Sequence, residues 1–551
     1  MTIFTQQRIL ALLLAFCLTM VYPTLSDPYE APVYLGMAEA GTAPTTSTGS
    51  SRHLAFASSA GNPQSVARKE PPSHGKEDQQ QQHLVLIGGG HAHVQVIKAL
   101  NAASRPANLR VTLIDAVQSA SYSGMVPGCV AGYYQPEETQ LHLKPLAEWA
   151  SIDFINEKVA DLDLDNKLIY LQDREEGIAF DAVSMDIGST SRDMYTVKGA
   201  AAYSIPTRPI HKLIERIEKA RLAAVETTTS NHNNEPLELV VIGGGAAGIE
   251  LALSVTSRWK KSQQGENMKC TLLDAGQQLL PQESDSARQQ LGQVLTNHNI
   301  QVRHECTVQE ITESTVLLTT GQEIPYTHCI WATGAGAHDL SKHLHTVCGL
   351  DCSAHGWIQV EPTFQSTSHP FVFAAGDCAS IQNLKHGSPP KAGVYAVRAG
   401  PVLIENLTRY LQGSDLLRYE PQDDFLKLIG CGDGKAMGFR FGLSMQGRWV
   451  WELKNQIDRN FMKLFDVTDL PKPQPGSSYD TSQYDEKDLA AARKMPRIEP
   501  EEAATLLQRT DDDVDFQLAW RTLRSMGEDE SYRDAVLNLV SIPLAALQTP
   551  Q

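Results

Sequence analysis

Residues 237–255 read LELVVIGGGAAGIELALSV. A run of aliphatic residues stops at a glycine cluster and resumes as a helix-like stretch, with Gly243, Gly245 and Gly248 spaced G-x-G-x-x-G. Each glycine in this pattern has its own physical role. The first makes a tight turn, the second lets backbone approach a phosphate, and the third allows the helix to pack closely on the strand. A second strand, KCTLLDAG at 269–276, follows and ends in Asp274. Strand, glycine turn, helix, strand and acid together form a dinucleotide-binding unit. The helix start offers N–H groups to phosphates, and the acid accepts from ribose hydroxyls.

The same design recurs nearer the N-terminus. HLVLIGGG (83–90) reads as a buried strand entering a turn, HAHVQVIKALNAA (91–103) has helical spacing, and LRVTLIDA (109–116) is a strand that carries Asp115 at its end. Gly88, Gly89 and Gly90 supply the turn, but the third glycine position holds His93. A histidine there is expected to push the helix slightly away from the sheet. His91 lies nearer the phosphates and could donate to one, a packed or solvated ring being the alternative. Two such units on one chain suit the movement of a hydride between two dinucleotides. The alternative is a pair of nucleotide folds with one left empty.

Three further segments extend the pattern: HPFVFAAGDCAS (369–380), FDAVSMDIGSTS (180–191) and HCIWATGAGAH (328–338). Here the chain resembles the flavoproteins with two dinucleotide-binding domains, the pyridine-nucleotide oxidoreductases. The resemblance covers roughly residues 83–410, with five motifs in order. It implies an α/β fold of two Rossmann-like domains, with an NAD domain (235–340) inserted between the halves of an FAD domain (83–200 and 341–410). A C-terminal α+β cap or interface region (411–470) follows. The first glycine loop and Gly376-Asp377 would then belong to FAD, with Asp377 on the ribityl chain and Gly188 at the first crossover. The loop at Gly243, Gly245, Gly248 and Glu250, together with Asp274 and Gly334 at the second crossover, would hold NADH. An acid at the end of the second strand repels a 2′-phosphate, and LLDAGQQLLP places no arginine near Asp274 in sequence, so NADH is expected over NADPH.

The fate of the electrons is read from AVQSASYSGMVPGCVAGYYQPEE (116–138). Disulfide reductases of this family carry a C-x-x-x-x-C pair there, whereas this stretch has Cys129 alone. A lone cysteine among small apolar residues is expected to pack rather than react. Cys348 and Cys352 fall in an apparent loop, so a dithiol mechanism is disfavoured. YSGMVPGCVAGYY, including Pro127, instead resembles the flavin-side segment of type II NADH dehydrogenases. It is closest to the flavoprotein module that some organisms fuse to selenide, water dikinase. That similarity extends over GGGHAHV, DIGST, PPKAGVYAVRAGP and GRWVWELKNQIDRNFMKLF, and in that group a histidine-bearing glycine loop is usual. The kinase half is absent. Type II enzymes carry glutamines along their quinone tunnel where this chain has Val397 and Arg398, so the acceptor is left as a small molecule, a quinone being one candidate. Ala392 is expected to open a helix toward the flavin, with Lys391 either assisting or facing solvent. No side chain need act as nucleophile or metal ligand. The rival readings are a sulfide:quinone-type enzyme using Cys129 and Cys378, and a slow redox-sensing flavoprotein resembling apoptosis-inducing factor.

Composition bounds the rest. The 551-residue chain is 42% hydrophobic and 20% charged, enough for two or more domains. A net charge of −17 argues against a nucleic-acid partner. Nine cysteines do not form a disulfide framework. ILALLLAFCLTMVYP (9–23) predicts a signal peptide ending near residue 26, with a signal anchor as the alternative. The acid-free stretch 41–69 resembles a transit segment, so the leader to residue 82 points to a plastid through a bipartite signal, or to an endomembrane or secreted location. WVWELKNQIDRNFMKLF (449–465) is amphipathic through Val450, Leu453, Ile457, Phe461 and Leu464. That face would dock on a membrane surface, pack on the flavin domain, or meet a second subunit in a homodimer. The acidic tail (471–551) is read as a solvated appendage.

Overall fold

The computed structural model describes residues 81–230, 237–261, 268–422, 424–440, 442–470 and 472–473. The signal-like and transit-like segments, and the tail beyond residue 473, lie outside the described residues. In chain order, the elements that position the site are β1 (Gln82–Ile87), α1 (His93–Ala99), β2 (Leu109–Ile114), α2 (Val126–Val130), β3 (Asp153–Ile155), β4 (Ala182–Met185) and β5 (Ile205–Pro206). They continue with β6 (Glu238–Ile242), α3 (Ala246–Lys260), β7 (Lys269–Leu273), β8 (Ile300–Arg303), β9 (His328–Trp331) and β10 (Val372–Ala374). The last are α4 (Gly393–Leu411), β11 (Lys427–Gly430), β12 (Ala436–Arg440), β13 (Leu443–Gly447) and α5 (Arg448–Lys463).

Two five-stranded sheets have the same plan. The first runs β10-β4-β1-β2-β3 and the second β5-β9-β6-β7-β8, with every pairing parallel. Strands covered on both faces should be near-continuous aliphatic runs. β1 and β6 meet that demand, with Leu84, Val85, Leu86 and Val241 all at 0% exposure. In each sheet the chain leaves the central strand toward one side and later returns on the other, which opens a crevice at the carboxyl ends of the strands. At that edge Ile87 pairs with both Ile114 and Met185, and Ile242 with both Leu273 and Trp331. The first sheet takes β10 from far along the chain, so the strands of the second lie between its sequence segments.

Helix α4 contains Pro401, which cannot donate to the carbonyl of Val397 four residues earlier. That carbonyl accepts instead from Gln95 Nε2 of α1 at 2.9 Å. Gly400 makes room, because a Cβ there would lie 2.4 Å from the Gln95 amide. The proline thus fastens the two helices together rather than breaking one. The C-terminal sheet β11-β12-β13 is antiparallel, and α5 lies against it. Val450, Leu453 and Phe461 of α5 are buried, while Leu464 is exposed at 38%. The apolar face of this helix therefore serves the interior, as the packing alternative expected. Among the described residues no helix is long and apolar enough to cross a membrane.

Candidate functional site

The glycine loops have the strained geometry that their sequences demand. Gly88 (φ +88°) and Gly243 (φ +123°) occupy the left-handed region, and a Cβ on them would fall 2.5 Å from Asp186 O and 2.2 Å from Ala332 O. In each case the backbone of the neighbouring crossover strand is what requires glycine. Gly248 meets its own loop in the same way, its Cβ position lying 1.9 Å from Gly243 O. Gly89 fits against Leu143, and Gly188 (φ +69°) and Gly245 face open space. Gly334 (φ +99°) ends the second crossover beside Arg192.

His93 does not push α1 away. Its ring is fully buried and bridges helix to sheet, Nδ1 to Gly88 O at 2.6 Å and Nε2 to Ser184 Oγ at 2.8 Å. Gly88 O can only accept, so the proton sits on Nδ1 and Nε2 accepts from the serine hydroxyl. Burial lowers its pKa to about 4 despite the bond to Gly88. A neutral imidazole thus does by hydrogen bonding what glycine does by absence. His91 is packed, with its ring 5.5 Å from Tyr122 and 5.9 Å from Phe461. Its Nε2 is buried and without a partner.

Asp115 lies beneath the loop, with Oδ2 accepting from Gly89 N at 2.6 Å and Oδ1 from Val117 N at 2.8 Å. Burial raises its pKa against those two bonds. Asp377, at the turn begun by Gly376 (φ +69°), accepts from Ser189 Oγ at 2.7 Å and Arg208 Nη2 at 3.3 Å. Arg208 comes from the connection into the second sheet, and sequence reasoning missed it because nothing local marks it. Lys391 neither faces solvent nor lies free: its Nζ donates to Ala379 O and rests 4.6 Å over the Trp357 ring. Ala392 is the N-cap of α4, and Pro127 sits buried in the first turn of α2.

One expectation fails. The amides at the start of α1 are not free, because Asp186 Oδ2 accepts from Ala92 N at 2.9 Å and His93 N at 3.3 Å. Asp186 is buried, and desolvation pushes it up to about 7 against those two donors.

In the second domain the Asp274 carboxylate lies over Gly244, whose Cβ position is 2.4 Å from Asp274 Cγ, and it meets His304 Nδ1 at 3.2 Å. The sequence places no arginine beside Asp274, but strand pairing brings one. Leu273 pairs with Arg303, and Asp274 N donates to Arg303 O at 2.9 Å. The Arg303 guanidinium is directed to Gln322. Glu250 turns to the C-terminal sheet, accepting from Gly430 N at 2.8 Å. It borders a charge cluster that the sequence did not announce. Lys454 donates to Asp458 at 2.7 Å and to Gly124 O at 2.6 Å, and Tyr122 donates to Asp458 at 3.1 Å. Burial alone would depress the Lys454 ammonium, but Asp458 and Glu250 outweigh it and raise its pKa. Burial pushes Glu250 up to about 7.

The cysteines are poor redox candidates. Cys129 and Cys378 are buried and free, and burial raises them to about 11 and about 12. Cys348 and Cys352 are also free and bond to Asp161 and to Ser341 O.

FAD fits the first crevice. A turn with no room for a Cβ, an acid beneath it, open space before Gly188 and an orphaned buried imidazole nitrogen make a cradle for a nucleotide. Two such crevices on one chain, the first completed by Gly376-Asp377, define a flavin- and nicotinamide-dependent oxidoreductase that uses FAD and NADH. The chain belongs to the pyridine nucleotide-disulphide oxidoreductase family, whose model matches residues 82–400. It is 24% identical over 407 residues to the type II NADH:quinone oxidoreductase of Haemophilus influenzae, covering 67% of this chain and 90% of that protein. It is 22% identical over 374 residues to the demethylphylloquinone reductase NdbB of Synechocystis, covering 66% and 88%. Among solved structures, that of NDH2 from Plasmodium falciparum in complex with NADH superposes with a TM-score of 0.61 at 14% identity, covering 72% of this chain and 99% of that one.

Proposed function

We propose that this protein oxidises NADH and delivers the electrons to a quinone. When bound, FAD supplies the two-electron chemistry between hydride donor and acceptor. The chain supplies position and charge. Gly88–Gly90 would admit a pyrophosphate, Asp115 would accept from the adenosine ribose, and Asp377, steadied by Ser189 and Arg208, would hold the ribityl chain. Asp274 selects a free ribose 2′-hydroxyl, which favours NADH over NADPH, and Gly243, Gly245 and Gly334 give the coenzyme backbone access. The observation that carries the reading is the pair of matched crevices, together with the burial that keeps the Cys129 and Cys378 thiols protonated. A dithiol relay needs an accessible thiolate, and so does a sulfide-oxidising reaction at Cys129 and Cys378. Likeness to quinone reductases supports quinone as acceptor, although Val397 and Arg398 replace the glutamines of that family's tunnel.

Anaerobic reduction by NADH, followed by reoxidation with a panel of quinones, disulfides and oxidised selenium compounds, tests this. Fast reoxidation by quinones alone supports the proposal, and reoxidation by disulfides or oxidised selenium compounds but not quinones refutes it. The proposal extends to place: residues 1–82 direct the chain through the secretory route, to a plastid, an endomembrane or the exterior. Fluorescent fusion of that segment tests the address, a cytosolic signal refuting it. Peripheral membrane association and a homodimer belong to the same proposal. Because the apolar face of α5 is internal, binding to anionic vesicles would have to use another surface.

A further inference from the structure

Asp186 lies beneath both loops that a flavin nucleotide needs. A Cβ on Gly90 would fall 2.2 Å from its Cγ, and one on Gly376 would fall 2.5 Å from its Oδ1. The carboxylate is 3% exposed and is held by the amides of Ala92 and His93. The groups that face it are mostly anionic or neutral. Asp115 stands at the end of β2 and Asp377 in the turn after β10, and both repel its charge. The Cys378 thiol beside it is kept protonated by burial. The His93 ring is neutral and engaged by Gly88 and Ser184. The nearby cations are directed elsewhere, Arg208 to Asp377 and Lys391 to Ala379 O. His91 lies near Asp377, and burial disfavours its charged form.

A pyrophosphate brings further negative charge to a site already backed by three carboxylates, one of them, Asp186, almost wholly withdrawn from water. Like charges in such a place cannot all ionise. Asp377 has Arg208 and Asp115 is placed for ribose hydroxyls, whereas Asp186 is the most deeply buried of the three and has no cation paired with it among the described residues. We propose that binding of FAD is coupled to uptake of one proton by Asp186, making it a flavin-binding residue that acts in its neutral form. The neutral acid keeps an oxygen on the α1 amides and removes a charge from beneath the phosphates. This rests on the FAD reading of the first crevice.

The full chain, stripped of flavin, is titrated calorimetrically with FAD between about pH 5.5 and 9, in buffers of different ionisation enthalpy. Below about pH 6 the free protein already carries the proton, so Kd is expected to be flat there. Above about pH 8 it should rise roughly tenfold per pH unit, with close to one proton taken up per FAD. In Asp186→Asn the amide oxygen still accepts from Ala92 and His93, and both the slope and the proton uptake should vanish. The wild-type proton count stands alone if that variant does not fold. A Kd that stays constant to about pH 9 with no proton uptake overturns the proposal, as does an uptake that persists in Asp186→Asn. Failure to bind FAD even at the acid end overturns the flavin reading itself, a result distinct from either.

Discussion

Acidification should cost the wild-type protein stability that a His93→Gln variant keeps. His93 is fully buried and neutral, its pKa lowered from 6.5 to about 4 by burial. In the unfolded chain the same ring titrates near its ordinary value. A group whose native state disfavours the proton contributes stability that is present above the unfolded pKa and lost as pH falls toward the folded one. Between about pH 7.5 and pH 5 the linkage relation gives a loss of about 2 kcal/mol from this residue, approaching 3 kcal/mol toward pH 4. Glutamine can donate to Gly88 O and accept from Ser184 Oγ but does not titrate. It should therefore fold with a penalty of about 1 kcal/mol near neutrality. Urea unfolding of wild type and variant, each with the same excess of FAD, measures the difference at the two pH values. Contributions from His83, His91 and Asp186 are common to both proteins and cancel in that difference. Equal acid losses in the two would refute a buried neutral bridge at His93 and would mean that the ring takes up a proton freely.

Other consequences follow from the same geometry. Gly90→Ala should abolish retention of the yellow cofactor during purification, because the new methyl falls on Asp186; a variant that remains yellow refutes the close approach. Lys454→Met should destabilise by about 3–5 kcal/mol, because Asp458 is left as a buried unpaired charge, and the added change Asp458→Leu should recover much of that loss in thermal unfolding. Asp274→Asn should raise the NADPH-to-NADH ratio of kcat/KM about tenfold or more by removing one repulsive charge from the 2′ position, with Arg303 and His304 left to receive a phosphate. Replacing Cys129 and Cys378 together with alanine should leave NADH–quinone turnover within about twofold, since thiols titrating near 11 and 12 are inert at neutral pH.

Much of the fold was legible because its requirements are local. A glycine held at positive φ, a crossover strand ending in glycine and an acid closing a second strand are each readable in a few residues, and the duplicate at 237–276 confirms the unit at 83–116. His93 was legible as an exception but not as a bridge, since Ser184 meets it only after β4 pairs with β1. The arginine beside Asp274 was missed for a similar reason: Arg303 is distant along the chain and adjacent across the β7–β8 pairing. The amphipathic face of α5 could not by itself distinguish a membrane from a protein core, and the choice was made by β12, β13 and the flavin-side segment covering it.

The amino-acid sequence alone determined that this chain builds two dinucleotide crevices, because steric exclusion at glycine and the period of buried strands act within a single element. Only the tertiary structure decided the charges around them: Asp186 beneath two loops, Arg208 on Asp377, and Lys454 held between Asp458 and Gly124. A buried charge is tolerable only beside partners that arrive from distant segments, and the free energy of that arrangement belongs to the packed whole.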